Sequence, residues 1–250
     1  MTERLGFYER VLRRLLEQGL VRREWRVLVV AGGDLDRRAF AATGFTDVTV
    51  TNLSGDADEV QDAEQLTYED DTFDFAVISA GLHHCASPHR ALLELYRVAR
   101  RGVLALEARD SALMRIAQRA GVVDEFELTA VADNEFASGG VRNSAVPNYV
   151  YRWTEREVEK TIASAHPQRR HRFVFFRELE LPGSVLDLGG KSRWRLAEAP
   201  LRLVTKAFPK QANLFAFAVF REGLQPWMSD DDTLDVAEVE RRLGRHPSSP

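Results

Sequence analysis

Apolar and polar positions divide the first 110 residues into alternating helices and short buried strands. Over residues 3–18, apolar side chains recur every three or four positions, which is the spacing of one helix face. Continuous apolar runs rich in β-branched residues then predict strands that are buried on both faces. The predicted strands lie at 26–30, 48–53, 73–79 and 103–107, and the helices between them at 36–43 and 88–99. This alternation is typical of parallel βαβ units in one sheet.

The alternation is interrupted after Glu107. Residues 108–153 contain one predicted helix, at about 111–120, followed by a stretch rich in glycine, asparagine and aromatic residues. Thr154 and Glu157 then have the spacing of a capping box and predict a helix at 155–165. We therefore expect 108–153 to be a cap insertion within the domain.

Two further strands are predicted at 173–181 and 213–221. The residues between them, about 182–212, are predicted to be a loop insertion. A loop of that length is usually functional or contains further elements. Residues 229–250 form a charged tail with one short helix predicted at about 235–243.

Composition excludes several classes of protein. Hydrophobic residues make up 44% of the 250 residues, which is enough for a large core, but no apolar run is long enough to span a bilayer. The net charge is −4, and this balance argues against nucleic-acid binding. A single cysteine, Cys85, allows no internal disulfide, and we predict no metal site. The N-terminus lacks a signal-peptide pattern, so we expect a cytoplasmic protein.

Small and polar residues follow each predicted strand of the first half. Ligands of doubly wound sheets bind beyond the carboxyl ends of the strands, so these residues are candidates for a binding site. Each group alone is equally typical of a turn or loop. The groups are Ala31, Gly32, Gly33 and Asp34; Asn52 and Leu53; Asp62, Ala63 and Glu64; and Ser79, Ala80 and Gly81.

Several short motifs that follow one another in a fixed order are more specific for a protein family than any of these groups alone. D-A-E-x-L begins at Asp62, D-x-x-F-D-F at Asp70, and L-H-H at Leu82; L-x-E-L-Y-R-V and A-R-R-G follow from Leu92. In this order, over residues 26–107, the chain resembles the class I S-adenosylmethionine-dependent methyltransferases, in particular the small-molecule branch called type 11.

The resemblance implies a doubly wound Rossmann-like sheet, mostly parallel, with an antiparallel C-terminal strand. Residues 1–107 would hold the N-terminal helix and the cofactor-binding half, and 154–228 the rest of the domain. The implied cofactor is S-adenosylmethionine, with S-adenosylhomocysteine as product. Gly33 would approach its amino-acid part, Asn52 its ribose and Asp62 its adenine. The full set of implied cofactor contacts is Ala31, Gly32, Gly33, Asp34, Asn52, Leu53, Asp62, Ala63, Glu64, Ser79, Ala80 and Gly81.

The chain departs from the family pattern at the first strand and its loop. Val29 replaces an acid, Ala31 and Leu35 replace glycines, and Asn52 replaces the acid that binds ribose. These departures leave open a non-catalytic relative that acts as a scaffold. A nucleotide-binding oxidoreductase is disfavoured, because the loop lacks G-x-G-x-x-G.

Methyl transfer is an in-line displacement that needs a general base only when the acceptor loses a proton. His83 and His84 are the candidate bases, although a histidine here can equally bond a backbone carbonyl. We expect a small polar acceptor, such as the hydroxyl of a sugar or another biosynthetic intermediate. The candidate acceptor contacts are Arg109, Arg142, Asn143, Tyr149, Tyr151 and Arg152, whose aromatic members can equally be core packing.

Overall fold

The computed structural model describes residues 2–55, 57–180 and 191–244. The strands are β1 (Arg26–Val30), β2 (Asp47–Asn52), β3 (Glu59–Val60), β4 (Phe73–Ser79), β5 (Ala99–Ala108), β6 (Arg169–Glu178) and β7 (Leu214–Leu224). The helices are α1 (Thr2–Glu17), α2 (Asp34–Thr43), α3 (Pro88–Val98), α4 (Ala112–Arg119), α5 (Leu128–Asp133), α6 (Glu155–Ala165), α7 (Lys191–Ala207) and α8 (Val236–Arg242).

The seven strands form one sheet in the order β3-β2-β1-β4-β5-β7-β6. Strands β1 to β5 pair in parallel, whereas β7 is antiparallel to both of its neighbours, β5 and β6. The chain order reverses at β1, because β2 lies on one side of it and β4 on the other. The prediction of a doubly wound, mostly parallel sheet with an antiparallel C-terminal strand is confirmed.

Each face of the sheet carries its own apolar core. Leu28 and Val30 of β1 point to one face, where they join Leu92 of α3 and Ile162 of α6. The alternate β1 side chains point to the opposite face, where α1 and α2 cover them. Because both faces are covered, the central strands read as continuous apolar runs and not as alternating patterns.

Two predicted segments are wrong in detail. The predicted loop at 182–212 contains α7, and residues 181–190 lie outside the described part. Pro200 lies inside this helix, a position that proline rarely occupies, and no helix was predicted there. The segment between the second and third predicted strands, where no further strand was predicted, contains the short strand β3.

Strand β5 begins at Ala99, four residues before its predicted start. Its first residues are polar because Arg100 and Arg101 each bond the Asp74 carboxylate, with Nε to Oδ1 distances of 2.8 Å and 2.9 Å. Of the charged tail, α8 is described, and residues 245–250 lie outside the described part. Among the described helices, none combines the length and the apolar character needed to cross a bilayer.

Candidate functional site

The carboxyl ends of β1, β2 and β4 meet at one edge of the sheet. Val30 of β1 is in register with Thr51 of β2 on one side and with Ile78 of β4 on the other. The segments that follow these strands are therefore neighbours, as predicted for a ligand site at the point where strand order reverses.

Two alanines at this edge adopt left-handed backbone conformations. Ala31, directly after β1, has φ 52°, and Ala80, directly after β4, has φ 51°. Residues other than glycine rarely adopt this region, and such strain is concentrated at functional sites. Gly81 follows, and a Cβ there would lie 2.8 Å from Ile78 Cγ1 and 2.9 Å from the Ala31 Cβ. The two loops are therefore in close contact.

We expect Ala31→Gly to stabilise the protein by about 0.5–1 kcal/mol, because glycine adopts the left-handed conformation without steric strain. The measurement is the free energy of unfolding in urea. Ala41→Gly is the matched control, since Ala41 is an exposed residue of α2, and glycine there should cost up to about 1 kcal/mol. A loss of stability in Ala31→Gly would contradict the assignment of strain.

The glycine loop is bonded to its own helix. The Gly33 N–H donates to Asp36 Oδ2 at 2.9 Å and thereby caps the start of α2. Burial raises the pKa of the Asp36 carboxyl. Leu35 packs on the core between the sheet and α1, and Asp34 is exposed to solvent. Neither side chain therefore fills the crevice at the strand ends.

A first cavity, of about 240 Å³, lies beyond β1 and β2, and we call it the Asn52 cavity. Its lining includes Ala31, Asn52, Leu53, Asp62, Ala63, Glu64, Ala80, Gly81 and His84. These include eight of the twelve predicted cofactor contacts. Gly32, Gly33 and Asp34 are not among the described residues that line it, whereas Ser79 lines a neighbouring cavity.

Asn52 connects β2 to the glycine loop. Its Nδ2 donates to the Gly32 carbonyl at 3.0 Å, and its Oδ1 accepts from the Leu53 N–H at 2.8 Å. An amide has a second N–H and a second lone pair, so one donor and one acceptor site remain for a ribose. Glu64 lines the Asn52 cavity, and its carboxylate also accepts the N–H groups of Ala86 and Ser87 before α3.

Arg142 and Asn143, which belong to the predicted cap, form part of the wall of the Asn52 cavity. Arg142 Nη2 donates to Asp62 Oδ2 at 2.6 Å, and Asn143 Nδ2 donates to Ser54 Oγ at 2.6 Å. Both cap residues have positive φ, 50° and 56°, which turns the segment back over the strand ends. We predicted both as acceptor contacts, but the structure places them over the proposed cofactor contacts.

A second cavity, of about 440 Å³, lies beyond β4 and β5, and we call it the Glu107 cavity. Ala80 lines both cavities, so they adjoin at the end of β4. Phe7 of α1 and Met114 of α4 also line the second cavity. Its polar lining includes Ser79, His83, Glu107, Glu127 and Arg152.

His83 is held between two carboxylates at this cavity. Its Nδ1 lies 2.6 Å from Glu107 Oε2, and its Nε2 lies 3.4 Å from Glu127 Oε2. Glu107 is fully buried, and its other oxygen accepts the Leu82 N–H at 2.8 Å. Burial alone would lower the pKa of His83, but the two carboxylates outweigh it and raise the pKa to about 10. At neutral pH His83 is therefore a cation and a poor base.

His84 has the opposite electrostatics. Burial, together with the charge on His83, lowers the pKa of His84, so its imidazole is neutral at pH 7. Its Nε2 lies 3.4 Å from the same Glu127 oxygen. The hydrogen bond with His83 lowers the pKa of Glu127 to about 2. Sequence reasoning missed Glu127, which lies in the cap outside any recognisable motif.

The remaining predicted acceptor contacts lie apart from this cluster. Arg109 is buried, forms an ion pair with Glu155 and does not line either cavity. The Tyr151 hydroxyl donates to Glu157, and the exposed ring of Tyr149 packs edge-on against Phe126. Arg152 alone of these residues lines the Glu107 cavity, where it donates to the Asp124 carbonyl at 2.9 Å.

Fold and site together define an α/β domain that binds a ligand at the strand-order reversal. Residues 29–106 match the model of the family described as a methyltransferase domain. This match covers strands β1 to β5 and supports an enzyme that uses S-adenosylmethionine as its cofactor. Comparison with curated proteins found no match.

Solved structures agree with this fold. The chain is similar to the YcgJ protein from Bacillus subtilis, with 12% identity, a TM-score of 0.51, and coverage of 90% of this chain and 100% of that one. It is also similar to a chain from the complex between the Haloferax volcanii Trm112 methyltransferase activator and a methyltransferase. That match has 12% identity, a TM-score of 0.51, and coverage of 89% and 98%. At this identity the likeness shows the fold alone.

The residues present fit S-adenosylmethionine. Asn52 keeps a free donor and acceptor site, and Asp62 offers a carboxylate at the cavity wall. A Cβ built on Gly33 would meet nothing within 4 Å, so the space beside the loop is open. The Asn52 cavity is smaller than most small-molecule sites, which span about 300–1,000 Å³, because Arg142 closes it. An adenine bound by the Asp62 carboxylate would have to displace Arg142 from this contact.

Proposed function

We propose that the protein methylates an oxygen of a small polar molecule, with the adenosyl group in the Asn52 cavity and the acceptor in the Glu107 cavity. The observation that carries this proposal is the shared boundary of the two cavities at Ala80. A methyl group that leaves one cavity would enter the other at this point. The Glu107 cavity also has enough polar lining to orient a hydrophilic acceptor.

S-adenosylmethionine, when bound, supplies a methyl group on a sulfonium sulfur. The work of the chain is to align the acceptor with that methyl group and to exclude water. In the Glu107 cavity, apolar walls from Phe7, Leu106 and Met114 exclude water. Arg152 faces the same space with backbone carbonyls as its hydrogen-bond partners, so it is suited to bind a polar or anionic group of the acceptor.

The cluster of His83, His84 and Glu127 would meet the acceptor oxygen. His84 is the neutral imidazole of the pair and is the candidate to receive the proton of a hydroxyl acceptor. His83 instead serves as a charged hydrogen-bond donor, because Glu107 and Glu127 hold its proton. This division of roles supports an oxygen acceptor, which must lose a proton on attack.

Calorimetry with S-adenosylmethionine and S-adenosylhomocysteine tests the cofactor half of the proposal, and we expect micromolar binding of both. The acceptor half is tested by a screen of small hydroxyl compounds, including sugars, for release of S-adenosylhomocysteine. Ala108→Leu, which narrows the Glu107 cavity at the end of β5, should abolish turnover and leave cofactor binding within a few-fold. Absence of cofactor binding in the folded protein would overturn the proposal.

A further inference from the structure

The structure brings two imidazoles and a carboxylate together between the two cavities: His83 and Glu127 line the Glu107 cavity, and His84 lines the Asn52 cavity. His83 Nε2 and His84 Nε2 each lie 3.4 Å from Glu127 Oε2, and the three donor atoms all lie within 4.8 Å of one another. Two histidines and one carboxylate are the donor set of many catalytic zinc sites and of non-haem iron sites.

The separations fit a bound ion. Zinc bonds nitrogen and oxygen at about 2.0–2.2 Å, so two ligands on a tetrahedral ion lie about 3.3–3.5 Å apart. Both histidine–Glu127 distances meet this requirement. The two imidazole nitrogens lie within 4.8 Å of each other, and a rotation of the His84 ring, whose side chain is 32% exposed, would bring them to the separation of two ligands on one ion.

The surroundings of His83 are those of a metal ligand. Its Nδ1 is bonded to Glu107 Oε2 at 2.6 Å, so Nε2 faces Glu127 and His84. Metal-bound histidines almost always give their second ring N–H to a carboxylate or carbonyl, which fixes the tautomer and the ring orientation. Glu107 is itself fixed by the Leu82 N–H at 2.8 Å. Glu107 is thus a positioning residue and not a ligand.

We propose that His83, His84 and Glu127 bind a divalent transition metal whose open coordination positions face the acceptor. This inference rests on the proposed function only for its chemistry: the acceptor hydroxyl would bind the metal, which lowers the pKa of that hydroxyl. The acceptor O–H bond then breaks and its proton passes to water. The new C–O bond forms as the C–S bond breaks, which leaves S-adenosylhomocysteine as a neutral thioether. Binding of the metal also releases the Nε2 proton of His83 to water, and His84 is then a ligand and no longer the base.

The site is tested with a tag-free full-length chain that has been stripped with a chelator and then freed of it. Titration with Co²⁺, followed by visible absorption, should show one bound equivalent with the intense bands of a four- or five-coordinate ion, displaced by Zn²⁺. Glu127→Gln should weaken this binding at least about tenfold, and Glu107→Gln by about 10–100-fold. Glu125→Gln is the matched control, because Glu125 lies two residues away in the same segment and is exposed.

Cobalt binding that is absent, or equal in Glu127→Gln and Glu125→Gln, overturns the metal site. Calorimetry with S-adenosylmethionine on the same samples separates this failure from failure of the proposed function. Intact cofactor binding without cobalt binding refutes the metal site alone. Cobalt binding without cofactor binding refutes methyl transfer and leaves the metal site standing. Glu127 is partly exposed at the cavity wall, so Glu127→Gln should lose less stability than the buried Glu107→Gln, and it tests the metal site by itself.

Discussion

Glu107→Gln is expected to reduce the free energy of unfolding by about 3 kcal/mol at pH 7, measured by urea denaturation in the presence of a chelator. The reason is that Glu107 is fully buried and is the shortest carboxylate contact of His83. Removal of one partner of a buried ion pair leaves the other charge without compensation, and such changes cost about 3–5 kcal/mol. Glutamine keeps the size of the side chain, so the loss reports the charge.

The same variant should change the pH dependence of stability. The pKa of His83 is raised in the folded protein to about 10, from an ordinary value of 6.5. A raised folded-state pKa stabilises the protein fully below pH 6.5, and this contribution disappears as the pH rises through about 10. We therefore expect the wild-type protein to lose stability between pH 7 and 10, and Glu107→Gln to show a much flatter profile. Equal slopes for the two proteins would refute the charged pair.

Glu157→Gln is the matched control for this prediction. Glu157 also pairs with a histidine, His89, at 3.1 Å, but the two side chains are 25% and 40% exposed. Solvent screens such a pair, so the substitution should cost less than about 1 kcal/mol. Comparable losses in Glu107→Gln and Glu157→Gln would mean that burial is not the cause.

The sheet could be predicted because its signal is local. Strands β1 and β4 are buried on both faces, so each is a continuous apolar run whose ends are visible in the sequence. Helix α6 likewise begins after Thr154, whose hydroxyl accepts a hydrogen bond from the Glu157 N–H. The spacing of these two residues in the sequence is enough to predict this cap. Strand β3 has two exposed residues and carries no such signal.

The contacts of the site were harder to predict from the sequence than the sheet, because they join segments that are far apart in the chain. Arg142 and Asp62 are 80 residues apart, and their contact depends on two left-handed residues in the cap that no pattern marks. Glu127 reaches the histidines only because the cap folds over the Glu107 cavity. Asn52 was expected at the strand end, but its bond to the Gly32 carbonyl depends on how closely β1 and β2 lie. The roles of these residues in binding stay predictions.

Asp62→Ala is expected to weaken S-adenosylmethionine binding by about 10–100-fold in calorimetry. Hydrogen bonds to a charged group contribute about 1.5–3 kcal/mol, and each 1.4 kcal/mol is a factor of ten in affinity. Arg142→Ala should have the opposite effect and increase the affinity for S-adenosylmethionine up to about fivefold. Arg142 holds Asp62 in an ion pair, and an ion pair whose arginine is 57% exposed is worth about 0.2–1 kcal/mol.

The double variant decides what Asp62 binds. If its carboxylate accepts the adenine amino group, Asp62→Ala must weaken cofactor binding more in the Arg142→Ala background than it does alone, by up to about fivefold, because no ion pair then offsets the loss. If Asp62 serves only to anchor the cap through Arg142, the second substitution will have no effect once Arg142 is gone. The two side chains are in direct contact at 2.6 Å, so non-additivity is expected and its sign is informative. A carboxylate that the cap and the cofactor use in turn would make closure of the cap depend on whether the cofactor is bound.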